Sequence, residues 1–320
     1  MPLQERSPEF EKALQALQDN IESIDLPTKQ SHTFYSILAG TGAGKSRLGQ
    51  EIAVYIKKTM PNTYTARIDF SNGDRIRPSQ EAKSSATVIL GLRVAARLLF
   101  DCSSAELLDF LSACYKELPL QVVSFPTVME AFFQQRLNND QPEMANLVLI
   151  LDEINRLLDD VPPIAKEILQ VIGSYMCNSS HDLTETSTTY INPASNHKLG
   201  LLPIISGTII GHLESDIRAT SFAYKIGAVP MLSIEATTSI FSAVFPDRIL
   251  WLNNQTFKRT LKVLGRLPRC LEKIIEVCQV YGEHKQLTSD LAQLLAEKAY
   301  DKIKSLYSVS NIHHITLISS

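Results

Sequence analysis

The chain has 320 residues, 44% of them hydrophobic, with 31 Lys and Arg against 34 Asp and Glu for a formal net charge of −3. That length supports one large core or a core with a smaller companion domain, and the near balance of charge excludes binding to nucleic acid or membrane through net charge alone. No stretch reaches transmembrane length, residues 1–8 lack leader character, and the five cysteines include no Cys-x-x-Cys pair, so an intracellular protein with reduced thiols and no membrane partner is expected.

Apolar residues at Phe10, Leu14, Leu17, Ile21 and Ile24 predict an entry helix over 8–25, closed by Pro27. The apolar run of Phe34, Tyr35, Ile37 and Leu38 predicts a first strand. Ala39-Gly-Thr-Gly-Ala-Gly-Lys-Ser46 follows and leads into a predicted helix over 47–57. Strand, glycine-rich loop and helix in this order cradle phosphate. Glycines let backbone N–H groups wrap the phosphates, the lysine reaches the terminal ones, and the serine hydroxyl ligates magnesium. Gly40, Thr41, Gly42, Ala43, Gly44, Lys45, Ser46 and Arg47 are therefore the candidate nucleotide-binding residues, with Lys45 also catalytic and Ser46 a metal ligand. Ala39 stands where such loops usually begin with glycine.

Residues 63–70 read as a second strand and 71–74 as a turn; helical periods follow over 86–100, 104–117 and 128–137. Asn146-Leu-Val-Leu-Ile-Leu-Asp152-Glu153 has the character of a buried parallel strand that delivers carboxylates at its C-terminal edge, where ligands of open α/β sheets bind. This assigns Asp152 to the metal and Glu153 to polarising the attacking water. A helix over 162–176 and a polar insertion over 178–198 come next. Residues 201–205 predict a fourth strand beside the acid-bearing one, so that Ser206 or Thr208 would sense the terminal phosphate; a plain turn is the alternative reading. A fifth strand is expected over 228–234. The expected fold class is α/β: a doubly wound, parallel five-stranded P-loop NTPase sheet followed by a small all-helical lid domain, divided as 1–235 and 236–320.

The second part shows helical periods over 239–244, 255–264, 268–281 and 289–306, with Trp251 expected in its core beside Ile249, Leu250 and Leu252. Gly265-Arg-Leu-Pro-Arg269 is a glycine turn into a helix that starts at proline. Arg269 is a candidate phosphate sensor there, and helix capping explains the glycine and proline equally well.

These motifs stand in the order of the additional-strand P-loop ATPases over about residues 33–280. The chain resembles the AAA+ class and its signalling-ATPase (STAND) relatives. Its Leu151-Asp-Glu-Ile-Asn-Arg156, Pro203-Ile-Ile-Ser-Gly-Thr208 and Leu267-Pro-Arg-Cys-Leu-Glu272 runs look like the NTPase module of Crinkler and retrotransposon-hot-spot proteins. The resemblance implies that Lys45 and Ser46 bind phosphate and magnesium, that Asp152 and Glu153 act in hydrolysis, and that Ser206 or Thr208 and then Arg269 serve as first and second sensors. Relatives often carry a nuclease-like domain acting on DNA; no compact domain is expected beyond the lid.

The expected activity is magnesium-dependent ATP hydrolysis coupled to conformational switching, with ATP and Mg²⁺ as cofactors. ATP is preferred to GTP because no Asn-Lys-x-Asp guanine-reading motif occurs. A slow-turnover signalling switch and a P-loop small-molecule kinase are the alternatives. For partners, Lys258, Arg259, Lys262, Arg266, Arg269 and Lys273 form a basic run readable as a nucleic-acid contact or as a solvated helix face, and Arg75, Arg77, Arg93 and Arg97 pose the same choice. Arg218 is the candidate finger for a neighbouring subunit of a homo-oligomer. His181, Asp182, Glu185 and His197 read as loop residues rather than a metal site, and His313 and His314 as tail.

Overall fold

The computed structural model describes residues 7–40, 42–71, 75–76, 81, 84–119, 123–137, 144–177, 198–207, 222–281 and 287–307. They fall into two compact units, one within Arg6–Ala39 and Lys45–Ala228, the other within Gly40–Gly44 and Val229–Ser320.

The first unit opens with α1 (Ser7–Glu22) and β1 (Thr33–Leu38), then α2 (Lys45–Thr59) and β2 (Thr63–Asp69). Helices α3 (Ala86–Leu98), α4 (Ser104–Glu117) and α5 (Phe125–Leu137) precede β3 (Met144–Asp152), and α6 (Ile154–Asp160) and α7 (Pro162–Met176) lead to β4 (Lys198–Gly207) and β5 (Ala223–Gly227). The five strands form one sheet in the order β2-β3-β4-β1-β5, and every pairing is parallel. This is the expected α/β architecture. Its central strands are nearly continuous apolar runs because a parallel sheet with helical crossovers is covered on both faces.

The two faces sort by sequence parity, since successive side chains of a strand point to opposite sides. On one side, Phe34 and Leu38, Ala66 and Ile68, Leu147, Leu149 and Leu151, and Leu201 and Ile205 join the core built with α3, α5 and α7. On the other, α2 lies so close that a Cβ added to Gly49 would sit 3.6–3.9 Å from Ile150, Ile37 and Ile204. Helix α1 is fastened to the same unit by Asn20, whose side-chain amide donates to the Thr33 and Leu201 carbonyls at 3.0 and 2.9 Å.

The fifth strand departs from expectation. It occupies Ala223–Gly227 rather than 228–234, and residues 228–233 are irregular before α8 (Ile234–Val244) begins. Pro230 has no N–H to give a ladder, which disfavours strand there. The true strand was obscured by the half-buried Tyr224 and Lys225 of a sheet edge. Helix α6 was also unforeseen. The insertion at 178–197 and Thr208, Arg77, Arg218, His313 and His314 lie outside the described residues.

The second unit is helical over its described C-terminal part: α8, a 3₁₀ segment (Pro246–Asn253), α9 (Gln255–Val263), α10 (Pro268–Tyr281) and α11 (Ser289–Tyr307). Asn254 caps α9 by accepting from the Phe257 N–H at 3.1 Å, and Ser233 caps α8 by accepting from Ala236 at 3.0 Å. Trp251 is fully buried against Phe241 and Phe257. Ile249 and Leu250, expected beside it, are instead 52% and 70% exposed. Successive residues of a 3₁₀ segment point in different directions, so Trp251 reaches the core while the two residues before it do not, and Leu252 packs against the cluster from its edge. The five cysteines form no disulfide, and among the described residues no helix is long and apolar enough to cross a membrane.

Candidate functional site

Strand parity brings the site together. Ala66, Ile68, Leu151 and Ile205 face the α3/α5/α7 core, so Arg67, Asp69, Asp152 and Ser206 project from the opposite side, the side of α2. Register aligns their heights: Asp69 is the partner of Asp152, and Ser206 of Ile37. Strand β4 lies beside the acid-bearing β3, as the sequence predicts, and its other neighbour is β1.

Asp152 is fully buried, and a buried carboxylate must be compensated by partners. Its Oδ1 accepts from the Ser46 hydroxyl at 3.1 Å and from the Ser206 hydroxyl. Its Oδ2 accepts from Arg67 Nη2 at 2.6 Å. Lys45, in the first turn of α2, is 4% exposed and holds its ammonium 3.9 Å from Glu153 Oε1. Burial lowers the Lys45 pKa below its ordinary 10.5, against the opposing pull of the Glu153 and Asp152 carboxylates.

Glu153 adopts the left-handed conformation at φ 55°, ψ 41°, turning the chain from β3 into α6. A non-glycine residue there costs about 1–2 kcal/mol; such strain persists where the surroundings hold it, often at functional sites.

In the glycine loop, Gly42 and Gly44 have φ of 76° and 93°, backbone that glycine adopts without the steric cost a side chain would bring. Within the second unit, the Arg269 N–H, one of the unpaired donors at the start of α10, donates to the Gly42 carbonyl at 3.3 Å. The Arg269 guanidinium pairs with Glu272 at 3.1 Å. Arg47 is 60% exposed and pairs along its helix with Glu51 at 2.8 Å, outside the cluster at Asp152.

Sequence reasoning missed Arg67 and Asp69. Arg67 Nη2 bridges Asp152 and Asp69, the latter at 3.0 Å, while Asp69 Oδ1 accepts from the Ser71 N–H at 2.9 Å. Arg67 Nε is buried with no hydrogen-bond partner, at a cost of about 1–3 kcal/mol. The available signal was parity: polar residues at 67 and 69 alternate with the apolar Ala66 and Ile68 at the C-terminal end of a strand.

Of the other basic residues, Arg93 is buried in an ion pair with Glu81, and Arg97 donates to the Cys102 carbonyl and, at 3.0 Å, to Ser104. Both serve the fold of the α3 region. Arg266 Nε donates to the Leu232 carbonyl at 3.0 Å and Lys273 pairs with Glu276, whereas Lys258 and Lys262 are exposed on α9. Among the described residues no cluster of three or more His, Cys, Asp or Glu is arranged for a metal ion.

No protein-family model matches the chain, and no curated protein matches it. Among solved structures it is similar to Drosophila ORC bound to DNA, with a TM-score of 0.46 and 13% identity over 96% of this chain and 65% of that one. It is also similar to C. elegans PCH-2, with a TM-score of 0.44 and 9% identity over 92% of this chain and 68% of that one. The Aeropyrum pernix ORC1 protein in complex with DNA matches with a TM-score of 0.44 and 11% identity over 96% of this chain and 69% of that one. The chain thus spans about two thirds of the length of each.

Proposed function

We propose that this chain is a nucleoside-triphosphatase that binds ATP with magnesium and hydrolyses it to ADP and phosphate. The observation that carries the reading is the meeting of Ser46 and Asp152 at 3.1 Å, directly beside the Lys45–Glu153 pair. A hydroxyl that gives its proton to a buried carboxylate keeps its lone pairs for a cation. Hard oxygen donors of this kind suit magnesium, which takes one or two protein ligands and completes its shell with water and substrate phosphates. Magnesium would supply charge neutralisation on the phosphates.

The chain's own residues do the rest of the work in this reading. The N–H groups of the glycine loop bind phosphate oxygens, Thr41 of that loop lying outside the described residues, and Lys45 places its ammonium on the terminal phosphates. Glu153, 3.9 Å from the Lys45 ammonium, orients and polarises the attacking water in this reading. Ser206, donating to Asp152 Oδ1, reports the state of that carboxylate to β4 as the first sensor. Arg269 is assigned as the second sensor, supported by its backbone bond to Gly42. We assign residues 1–235 as the nucleotide-binding domain and 236–320 as a separate helical domain, in keeping with the AAA+ resemblance of the motifs.

Purified chain incubated with Mg·ATP should release phosphate steadily without a second substrate. A phosphorylated acceptor would instead identify a kinase, and retained nucleotide with negligible turnover a switch. Glu153→Gln should keep ATP and stall hydrolysis; normal turnover in that variant overturns the assignment of Glu153.

A further inference from the structure

Asp152 presents two chemically different edges. Oδ1 meets two neutral hydroxyls, Ser46 and Ser206, whose oxygens can share it with a cation or its water. Oδ2 is covered by a guanidinium: Arg67 Nη2 lies 2.6 Å away and is held on its other side by Asp69 at 3.0 Å. Asp69 is in turn fixed by the Ser71 N–H at 2.9 Å. The arrangement is anchored on its inner side, since Asp152 is fully buried and Arg67 Nε is enclosed without a partner, while the Arg67 side chain as a whole is 35% exposed.

We propose that Arg67 sets the metal specificity of this site by closing Oδ2, so that Asp152 can offer a divalent cation only one oxygen. The inference rests on the nucleotide reading above and deepens it. Calcium takes six to eight oxygens in a flexible shell and often grips a carboxylate by both; magnesium demands an octahedron, keeps several waters and uses carboxylates through one oxygen. A carboxylate with one edge blocked therefore penalises calcium and leaves magnesium unaffected. Two further features act in the same direction. The fixed positive charge discourages close approach of a second cation to Oδ2, and the Asp69 brace keeps the guanidinium from swinging away. Arg67 is thus a positioning residue: it touches neither nucleotide nor water in this scheme and acts through Asp152.

The test uses the intact chain and equilibrium binding of a fluorescent ATP analogue, titrated with MgCl₂ and, separately, CaCl₂. The quantity read is the ratio of half-saturating calcium to half-saturating magnesium. The wild type should require clearly more calcium than magnesium. Arg67→Ala, which uncovers Oδ2, should lower the ratio about tenfold or more, in the range typical of residues that orient metal ligands. Arg67→Lys, which keeps a cation on Oδ2, should stay near the wild-type ratio. An unchanged ratio in a folded R67A overturns the proposal, as does a fall in R67K as large as in R67A. If R67A does not fold, the wild type and R67K decide: equal saturation by the two metals in the wild type is equally fatal. Absence of analogue binding with either metal in the wild type would instead refute the nucleotide reading itself.

Discussion

The Ser46 hydroxyl donates to Asp152 Oδ1 at 3.1 Å although the two residues stand 106 positions apart in the chain. In the proposed scheme that bond turns the serine oxygen toward magnesium, so the negative charge of Asp152 matters more than its shape. Asp152→Asn should weaken magnesium-dependent nucleotide binding about 10–100-fold, with little change in binding measured without the metal. Calorimetric titration with ATP in magnesium and in chelator checks both halves.

Glu153, the carboxylate proposed to polarise water, stands on left-handed backbone at φ 55°. Comparing Glu153→Gly with Glu153→Ala separates the two, since both lose the carboxylate and only glycine relieves the strain. The glycine variant should be more stable than the alanine variant by about 1 kcal/mol in urea unfolding, and neither should hydrolyse ATP. Equal stability would mean that the turn carries no strain.

The buried Lys45 has its pKa held below 10.5 by desolvation. Because the unfolded chain binds that proton more tightly, the folded state bears the cost of the charge at neutral pH, and stability recovers as pH rises through the lowered value toward 10.5. Lys45→Met should therefore be more stable than the wild type at neutral pH, with the difference shrinking as pH rises across this window. Nucleotide affinity of the wild type should decline over the same window, as the ammonium is lost. Urea unfolding and nucleotide binding at stepped pH measure the two trends.

Trp251 is the sole tryptophan and is packed edge-on against Phe257 with ring centres 5.7 Å apart. Its fluorescence therefore reports the helical unit. Phe257→Ala empties part of a fully buried aromatic cluster and should lower the stability read by tryptophan emission by about 3–5 kcal/mol. A smaller loss would show that neighbouring side chains collapse into the space.

Features written in contiguous residues were legible at the outset. The glycine loop before Lys45, the apolar run ending at Asp152 and Glu153, and the run into Ser206 each place a strand end and a polar group within eight residues or so, a range over which periodicity and composition speak directly. The parallel sheet followed from the alternation of such strands with helices. Where burial is partial the sequence signal is weak: the edge strand at Ala223–Gly227 shows mixed exposure and so lacks the apolar signature, whereas the apolar stretch after it carries that signature without forming a strand. Ile249 and Leu250 were misplaced for a related reason, since hydrophobicity alone does not state which side of a 3₁₀ turn faces inward.

By itself, then, the sequence determined the chemical inventory and the class of architecture: a glycine-rich loop before a lysine and a serine, two acids at a strand end, and helices enough to cover a parallel sheet. Tertiary structure alone decided which groups meet. The hydroxyls of Ser46 and Ser206 share one oxygen of Asp152, while Arg67 covers the other. That assignment depends on the register between strands joined by long crossovers, and a one-residue slip would turn Arg67 to the opposite face. Local propensity carries no information on register: parity in the sequence puts Arg67 on the polar face of its strand, and only the strands laid side by side put it against Asp152.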